Sequence, residues 1–372
     1  MEAARFYAAS SIMLFHLTVM SDLPTNILSI YILNYAAMGV PLFFIISAMG
    51  MCIGYFGKLE TEGSIKDFYM RRFLRIATFF YVMMLLYIIM LPVFGDSGPT
   101  LGQFLASATF TMNLVPSYVE GYVWGSWTIG VEMIFYLLFP VLIVLASNLR
   151  RALVIFIGAT VLATLWRNEF VDVKGPLQSF GNFFIVVQFH YFAAGIVAFH
   201  VWRIAVRLCP ARVRLIGLIL LVISCAATVS LVVFGFWLIF AAGVFTSWKL
   251  NHTIVYFLWA TVLATFTIGM CLAPTKLLSS SLVCHWGRAS FGIYLWHPPV
   301  IAGYSKLGIY RAIFALANEN AEVSFLLGAL LTFATVVPLS LASFRFIEKP
   351  GMALLQLKHG RGAGQPERGG SR

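Results

Sequence analysis

The sequence predicts an all-α protein, a polytopic membrane helix bundle of about ten transmembrane helices with both termini cytoplasmic. Three observations lead there. Of 372 residues, 60% are hydrophobic and only 10% are charged, with a mean hydropathy of +0.90. Soluble domains are about 45–50% apolar and about 25% charged. The apolar runs recur at lengths that cross roughly 30 Å of hydrocarbon. Basic residues gather between alternate runs, which is how orientation in a membrane is encoded. The net charge of +11 is therefore read as topology rather than as a nucleic-acid surface.

Spans are expected near 3–20, 35–56, 76–95, 127–147, 152–167, 182–202, 214–233, 254–273, 289–309 and 323–345. No small-residue cleavage site follows the first run, so it reads as a retained span rather than a signal peptide. With the N-terminus inside, only Arg167, Lys174, Lys249, Lys306 and Arg311 of the 25 Lys and Arg residues fall on the outer side. The stretch FGFWLIFAAGVFTSW, 234–248, reads either as an eleventh span or as an extension of the seventh. A full span there would reverse every later segment and weaken the charge bias, which favours ten. Residues 1–350 are expected to form one membrane domain. The polar, Gly-rich 351–372 reads as a disordered cytoplasmic tail.

The five cysteines, Cys52, Cys209, Cys225, Cys271 and Cys284, are scattered without a CxxC pair. That spacing argues against a zinc site, an iron–sulfur site or a disulfide framework, and no metal is expected. No internal repeat with paired broken helices is visible, which weakens the usual transporter designs. The outer loop at about 96–126, with GDSGPT and NLVPSYVEGYVWGS, has a length typical of functional or disordered loops.

The informative residues are ionisable groups inside apolar runs, which are functional hypotheses by default. In EAARFYAASSIMLFHLTVM, Arg5 and His16 are eleven positions apart and share one helix face, roughly 16 Å apart along the axis. Arg5 has a simple reading as a snorkelling, topology-setting cation, and His16 as a helix-packing side chain. GVPLFFIISAMGMCIGY places Ser47 among small residues on the second span. In FYMRRFLRI, Arg72 and Arg75 share a face at i,i+3 and suit a phosphate grip, although positive-inside charge explains them too. GSWTIGVEMIFYLLFP buries Glu132 about five residues from the outer end of its span, where a carboxylate needs a partner. FGIYLWHPPVI puts His297 before two prolines that free the carbonyls of Tyr294 and Leu295. FRFIEKPG reads as a helix stop at Pro350, with Glu348 and Lys349 at the interface.

Taken together and in this order, Arg5-x10-His16, RRFLRI, the W-x-x-x-x-E-x-x-FY around Trp127 and Glu132, and YLWHPP resemble acyltransferase family 3. These are integral membrane proteins of the bacterial surface-glycan and exopolysaccharide O-acyltransferase type. The resemblance covers about residues 2–350. Three positions depart from the family pattern: Thr128 stands where Ser is usual, Ser47-Ala48 where Ser-Gly is usual, and Pro41 where an Asp is common.

The resemblance implies an enzyme of the multi-pass bacterial inner membrane. It would move an acyl group, usually acetyl, from cytoplasmic acyl-CoA to a hydroxyl of a cell-surface carbohydrate or its lipid-linked precursor. On that reading Arg72 and Arg75, with Arg5, hold the CoA phosphates. Ser47, Tyr294 and His297 line the path of the pantetheine arm. His16 is the general base, and Glu132, placed within roughly 5 Å of it by depth along the spans, orients it. Direct attack on the thioester is preferred, with a covalent intermediate on His16 or Thr128 as the alternative. A transporter or flippase of a lipid-linked glycan is the competing reading. It accounts for ten spans and buried charge, but not for a basic inner cluster aligned with the Arg5–His16 face.

Overall fold

The computed structural model describes residues 1–95, 97–170, 172–240 and 248–360. Ten long helices follow one another: α1 (Glu2–Met20), α2 (Gly39–Tyr55), α3 (Glu62–Phe94), α4 (Trp127–Leu145), α5 (Leu149–Phe170), α6 (Ile185–Leu208), α7 (Val213–Phe240), α8 (Trp248–Leu272), α9 (Ser290–Lys306) and α10 (Ala321–Ser343). Short helices and turns join them, and among the described residues there is no strand. Nine helical stretches among those residues are long and apolar enough to cross a membrane. The tenth expected span, α9, has 17 residues, which is about 25 Å of helix. It can be short because it is enclosed: Ser290, Gly292, Tyr294, Leu295 and His297 are all buried.

Each departure from the expected boundaries has a local cause. The second span starts late because a short helix, Ile27–Tyr35, and a 3-10 turn, Ala36–Met38, precede it. Gly39 then lets α2 pass close to α1: a Cβ there would lie 2.5 Å from the Ala8 carbonyl oxygen. The third span is longer than expected. Its 33 residues make about 50 Å of helix, capped at Thr61 by a reciprocal bond with Ser64, so the RRFLR segment lies on its early turns. Gly95 closes it with φ +93°, a left-handed stop that suits glycine. The first part of 234–248 continues α7 to Phe240, in line with an extension, while 241–247 lie outside the described residues.

The C-terminal end corrects two expectations. A π turn, Phe344–Glu348, follows α10, and a helix, Lys349–Gly360, follows the turn. Pro350 does not stop the chain; it occupies a first helical turn, where the missing N–H has no intrahelical partner to lose. Residues 351–360 are thus helical rather than disordered, and 361–372 lie outside the described residues. Glu348 is not at the interface. Only 4% of it is exposed, because the π turn rotates it inward.

Helix α6 is the hub. In the stretch Pro176–Leu208, 72% of the most apolar window is buried, against 17% for the stretch Pro210–Val233 that holds most of α7. Lipid tails are as apolar as side chains, so van der Waals fit and small residues drive such packing. A Cβ at Gly195 of α6 would lie 2.8 Å from Ala48 Cβ of α2. The methyl carried by Ala48, where the family more often has glycine, is accommodated by this glycine on the facing helix. Phe192 stacks on both Phe44 (4.5 Å) and Phe135 (4.0 Å), tying α6 to α2 and α4. The outer loop is ordered over most of its length. Asn113, fully buried, donates to the Phe183 carbonyl at 2.8 Å and accepts from the Ile185 N–H at 2.9 Å, capping the start of α6.

Candidate active site

A cavity of about 70 Å³ opens among α1, α2, α3, α4 and α9. Its charged wall is Arg5, Arg75 and Glu132; its hydroxyl wall is Ser47, Thr128, Tyr136, Ser290 and Tyr294. The volume suffices for roughly five waters at about 10–15 Å³ each. The cavity therefore sets a polar lining within an otherwise apolar bundle.

Glu132 has the partners its depth demands. Ser47 donates to Oε1 at 2.7 Å, and Tyr136, one turn further along α4, donates to the same oxygen. The two hydroxyls are 3.3 Å apart, so three side chains from two helices form one knot. Arg5, Arg72 and Arg75 all lie within electrostatic reach of Tyr136, and Arg5 also of Glu132. Arg75 and Arg5 reach the cavity wall, but Arg72 does not. Its guanidinium instead lies over the rings of Tyr55, Phe68 and Tyr136, at 5.2, 5.9 and 5.8 Å. Its Nε is buried and, among the described residues, has no hydrogen-bond partner. Glu348 likewise keeps a buried, unpartnered Oε1, and Arg75 acts on it electrostatically.

At the other end of the cavity, Tyr294 donates to the Gly125 carbonyl at 2.8 Å. Thr128 donates either to the Tyr294 oxygen or to that same carbonyl, both at 3.0 Å. Gly125 is needed twice over: its φ is +80°, and a Cβ would lie 2.9 Å from the Tyr294 hydroxyl.

His16 pairs differently from the expectation. Its Nδ1 lies 2.8 Å from Nε2 of His297, with the two ring centroids 4.9 Å apart. The hydrogen bonds of Glu132 go to Ser47 and Tyr136, so the carboxylate expected beside His16 is replaced there by a second imidazole. The reason is rotation: Glu132 faces Ser47 of α2, while His16 of α1 faces His297 of α9. Neither histidine is on the cavity wall. They join it through Tyr294, whose ring centroid is 5.7 Å from that of His297.

The structure thus gathers Arg5, Ser47, Arg75, Thr128, Glu132 and Tyr294 around one cavity, sets Arg72 in an aromatic cage beside it, and pairs His16 with His297. Sequence reasoning missed Tyr136, Ser290 and the inward turn of Glu348. Tyr136 had a usable signal, since i,i+4 from a buried Glu is the next position on the same helix face. Ser290 and Glu348 had none.

The family model described as an acyltransferase domain matches residues 1–345. The chain belongs to that family, acyltransferase family 3, and nine helical stretches among its described residues are long and apolar enough to cross a membrane. Among curated proteins it is similar to the peptidoglycan O-acetyltransferase OatA of Listeria monocytogenes serovar 1/2a, at 25% identity over 339 residues. The alignment covers 84% of this chain and 51% of that protein, so the chain spans about half the length of the relative it matches. No solved structure matches it.

Proposed function

We propose that the protein is an O-acyltransferase that moves an acyl group, most simply acetyl, from cytoplasmic acyl-CoA to a hydroxyl of a cell-envelope glycan or its lipid-linked precursor. The observation that carries the reading is the joining of three features in one family member. A guanidinium pair, Arg5 and Arg75, opens onto an intramembrane cavity, a hydroxyl–carboxylate knot lines it, and a histidine pair stands behind its Tyr294 wall. The relative's name, an O-acetyltransferase of a cell-wall glycan, points the same way. A bacterial inner-membrane location follows from the same reading.

Each residue then has a task. Arg5 and Arg75 hold phosphates of the donor, for which guanidinium forks are suited, with Arg72 adding charge from its cage. Ser47, Tyr136 and Glu132 offer bonds to the pantetheine arm. His16 accepts the proton of the acceptor hydroxyl. The oxygen attacks the thioester carbonyl, the C–O bond forms and the C–S bond breaks. The CoA thiolate leaves and takes the proton back from His16. Thr128 does not suit a covalent route. Its proton is directed to a carbonyl or a phenol, neither of which is a base that would activate it. It holds Tyr294 in place instead.

The test is transfer of radiolabel from acetyl-CoA into total glycan in purified membranes, wild type against His16→Ala. Label moved by the wild type and lost in the variant supports the scheme. Full transfer by a well-folded His16→Ala would overturn the base assignment. A wild type that neither binds acyl-CoA nor moves label would overturn the reading itself.

A further inference from the structure

The pairing of two histidines has a direction, and the backbone sets it. Nδ1 of His297 lies 3.1 Å from the carbonyl oxygen of Ile293, and the ring also bonds the backbone of Tyr294. Pro298 explains the second contact. It has no N–H, so the Tyr294 carbonyl one turn back lacks its helical donor and is available to a side chain. Carbonyls only accept, so Nδ1 of His297 carries a proton. A neutral ring then has a bare lone pair on Nε2. That lone pair faces Nδ1 of His16 at 2.8 Å, so His16 must be the donor there. The Ile12 backbone, one turn back on α1, also bonds the His16 ring, in the same i−4 relation that His297 has to Ile293. The reverse assignment would press a lone pair against a carbonyl on His297.

We propose that His297 is a positioning residue that fixes His16 as the Nδ1–H tautomer, leaving Nε2 of His16 as the base, and that the pair relays the proton during acyl transfer. The proposal rests on the acyl-transfer reading above and deepens it. Among the described residues, no side chain hydrogen-bonds Nε2 of His16; its one side-chain bond is made by Nδ1. When Nε2 takes the hydroxyl proton, the Nδ1 proton of His16 can pass to Nε2 of His297. The positive charge then sits on a ring whose Nδ1–H is held by a backbone carbonyl. As the thiolate leaves it takes the Nε2 proton of His16, the shared proton returns from Nε2 of His297 to Nδ1 of His16, and the neutral pair is restored. A second imidazole anchored by the backbone thus does the orienting work that a carboxylate does in a Ser–His–Asp triad.

Two measurements test this, and the first needs no substrate. In protein labelled with ¹⁵N-histidine, rings assigned by His16→Gln and His297→Gln should both show Nδ1 protonated and Nε2 bare. An Nε2–H tautomer on either ring overturns the proposal. The second is label transfer by three His297 variants with acetyl-CoA binding measured in each. His297→Asn keeps a donor to the Ile293 carbonyl but does not reach His16; His297→Gln places an acceptor oxygen where Nε2 stood. Transfer should fall about 100-fold or more in His297→Ala and His297→Asn, with donor binding within about twofold. His297→Gln should recover at least about tenfold over the Asn variant. Equal activity in the Asn and Gln variants would reduce His297 to packing and overturn the proposal, even if the Ala variant fails to fold. Activity in His16→Ala would instead overturn the base assignment.

Discussion

Two voids in the bundle differ in size and in chemistry, and size is the poorer guide to function. The cavity among α1, α2, α3, α4 and α9 holds about 70 Å³ and carries Arg5, Arg75 and Glu132. The groove among α5, α6, α7 and α8 is larger, about 300 Å³, and is lined by Phe156, Ala198, Phe257, Ala264 and similar side chains. Its two hydroxyls are already used: Thr261 donates to the Phe257 carbonyl at 2.7 Å and Thr265 to the Thr261 carbonyl at 2.8 Å. Nothing polar in that groove asks for a ligand. In the smaller cavity every ionised group is costly to hold in a membrane, and Arg5 and Glu132 act on each other electrostatically. Buried charge, not open volume, marks the candidate site.

The sharpest way to break the comparison is at Glu132. Glu132→Ala removes the acceptor that gathers Ser47 and Tyr136 and leaves Arg5 without the carboxylate that acts on it. Label transfer should fall by about 100-fold or more, and thermal unfolding in detergent should shift downward, because uncompensated charge in an apolar interior is strongly destabilising. Arg75→Ala should come next. Losing one phosphate-facing guanidinium should weaken acetyl-CoA binding about tenfold, roughly 1.4 kcal/mol, with Arg75→Lys recovering part of it. Calorimetric titration would read both. Tyr136→Phe deletes a single hydroxyl and should cost transfer about threefold to tenfold, in the range of one bond to a charged acceptor. At the small end, Thr261→Val in the apolar groove should leave transfer within about twofold and stability within about 0.5 kcal/mol. A groove variant that abolished transfer while leaving the cavity variants active would reverse the ranking of the two voids.

Much of this was readable before any coordinates. Span positions follow from hydropathy and length, which are local properties, and all ten expected spans lie on helices. The shared face of Arg5 and His16 follows from helical periodicity alone. The Arg72 cage was not readable, because Tyr55 lies on α2, Phe68 on α3 and Tyr136 on α4. Glu348 was misread because a π turn changes the rotation of every later side chain, and nothing local in FRFIEKPG announces one. Glu132 meets Ser47 and Tyr136 rather than the expected His16.

The sequence by itself determined that this chain lives in a membrane, where its ten long helices run and which family it resembles. Tertiary structure alone decided which groups meet. Within one helix, the backbone repeat dictates spacing and depth. Between helices in lipid, no gain from excluding water selects a face, and rotation is settled by close fits such as Gly195 against Ala48 and Gly39 against Ala8. Those fits turned Glu132 toward Ser47 and turned His16 toward His297.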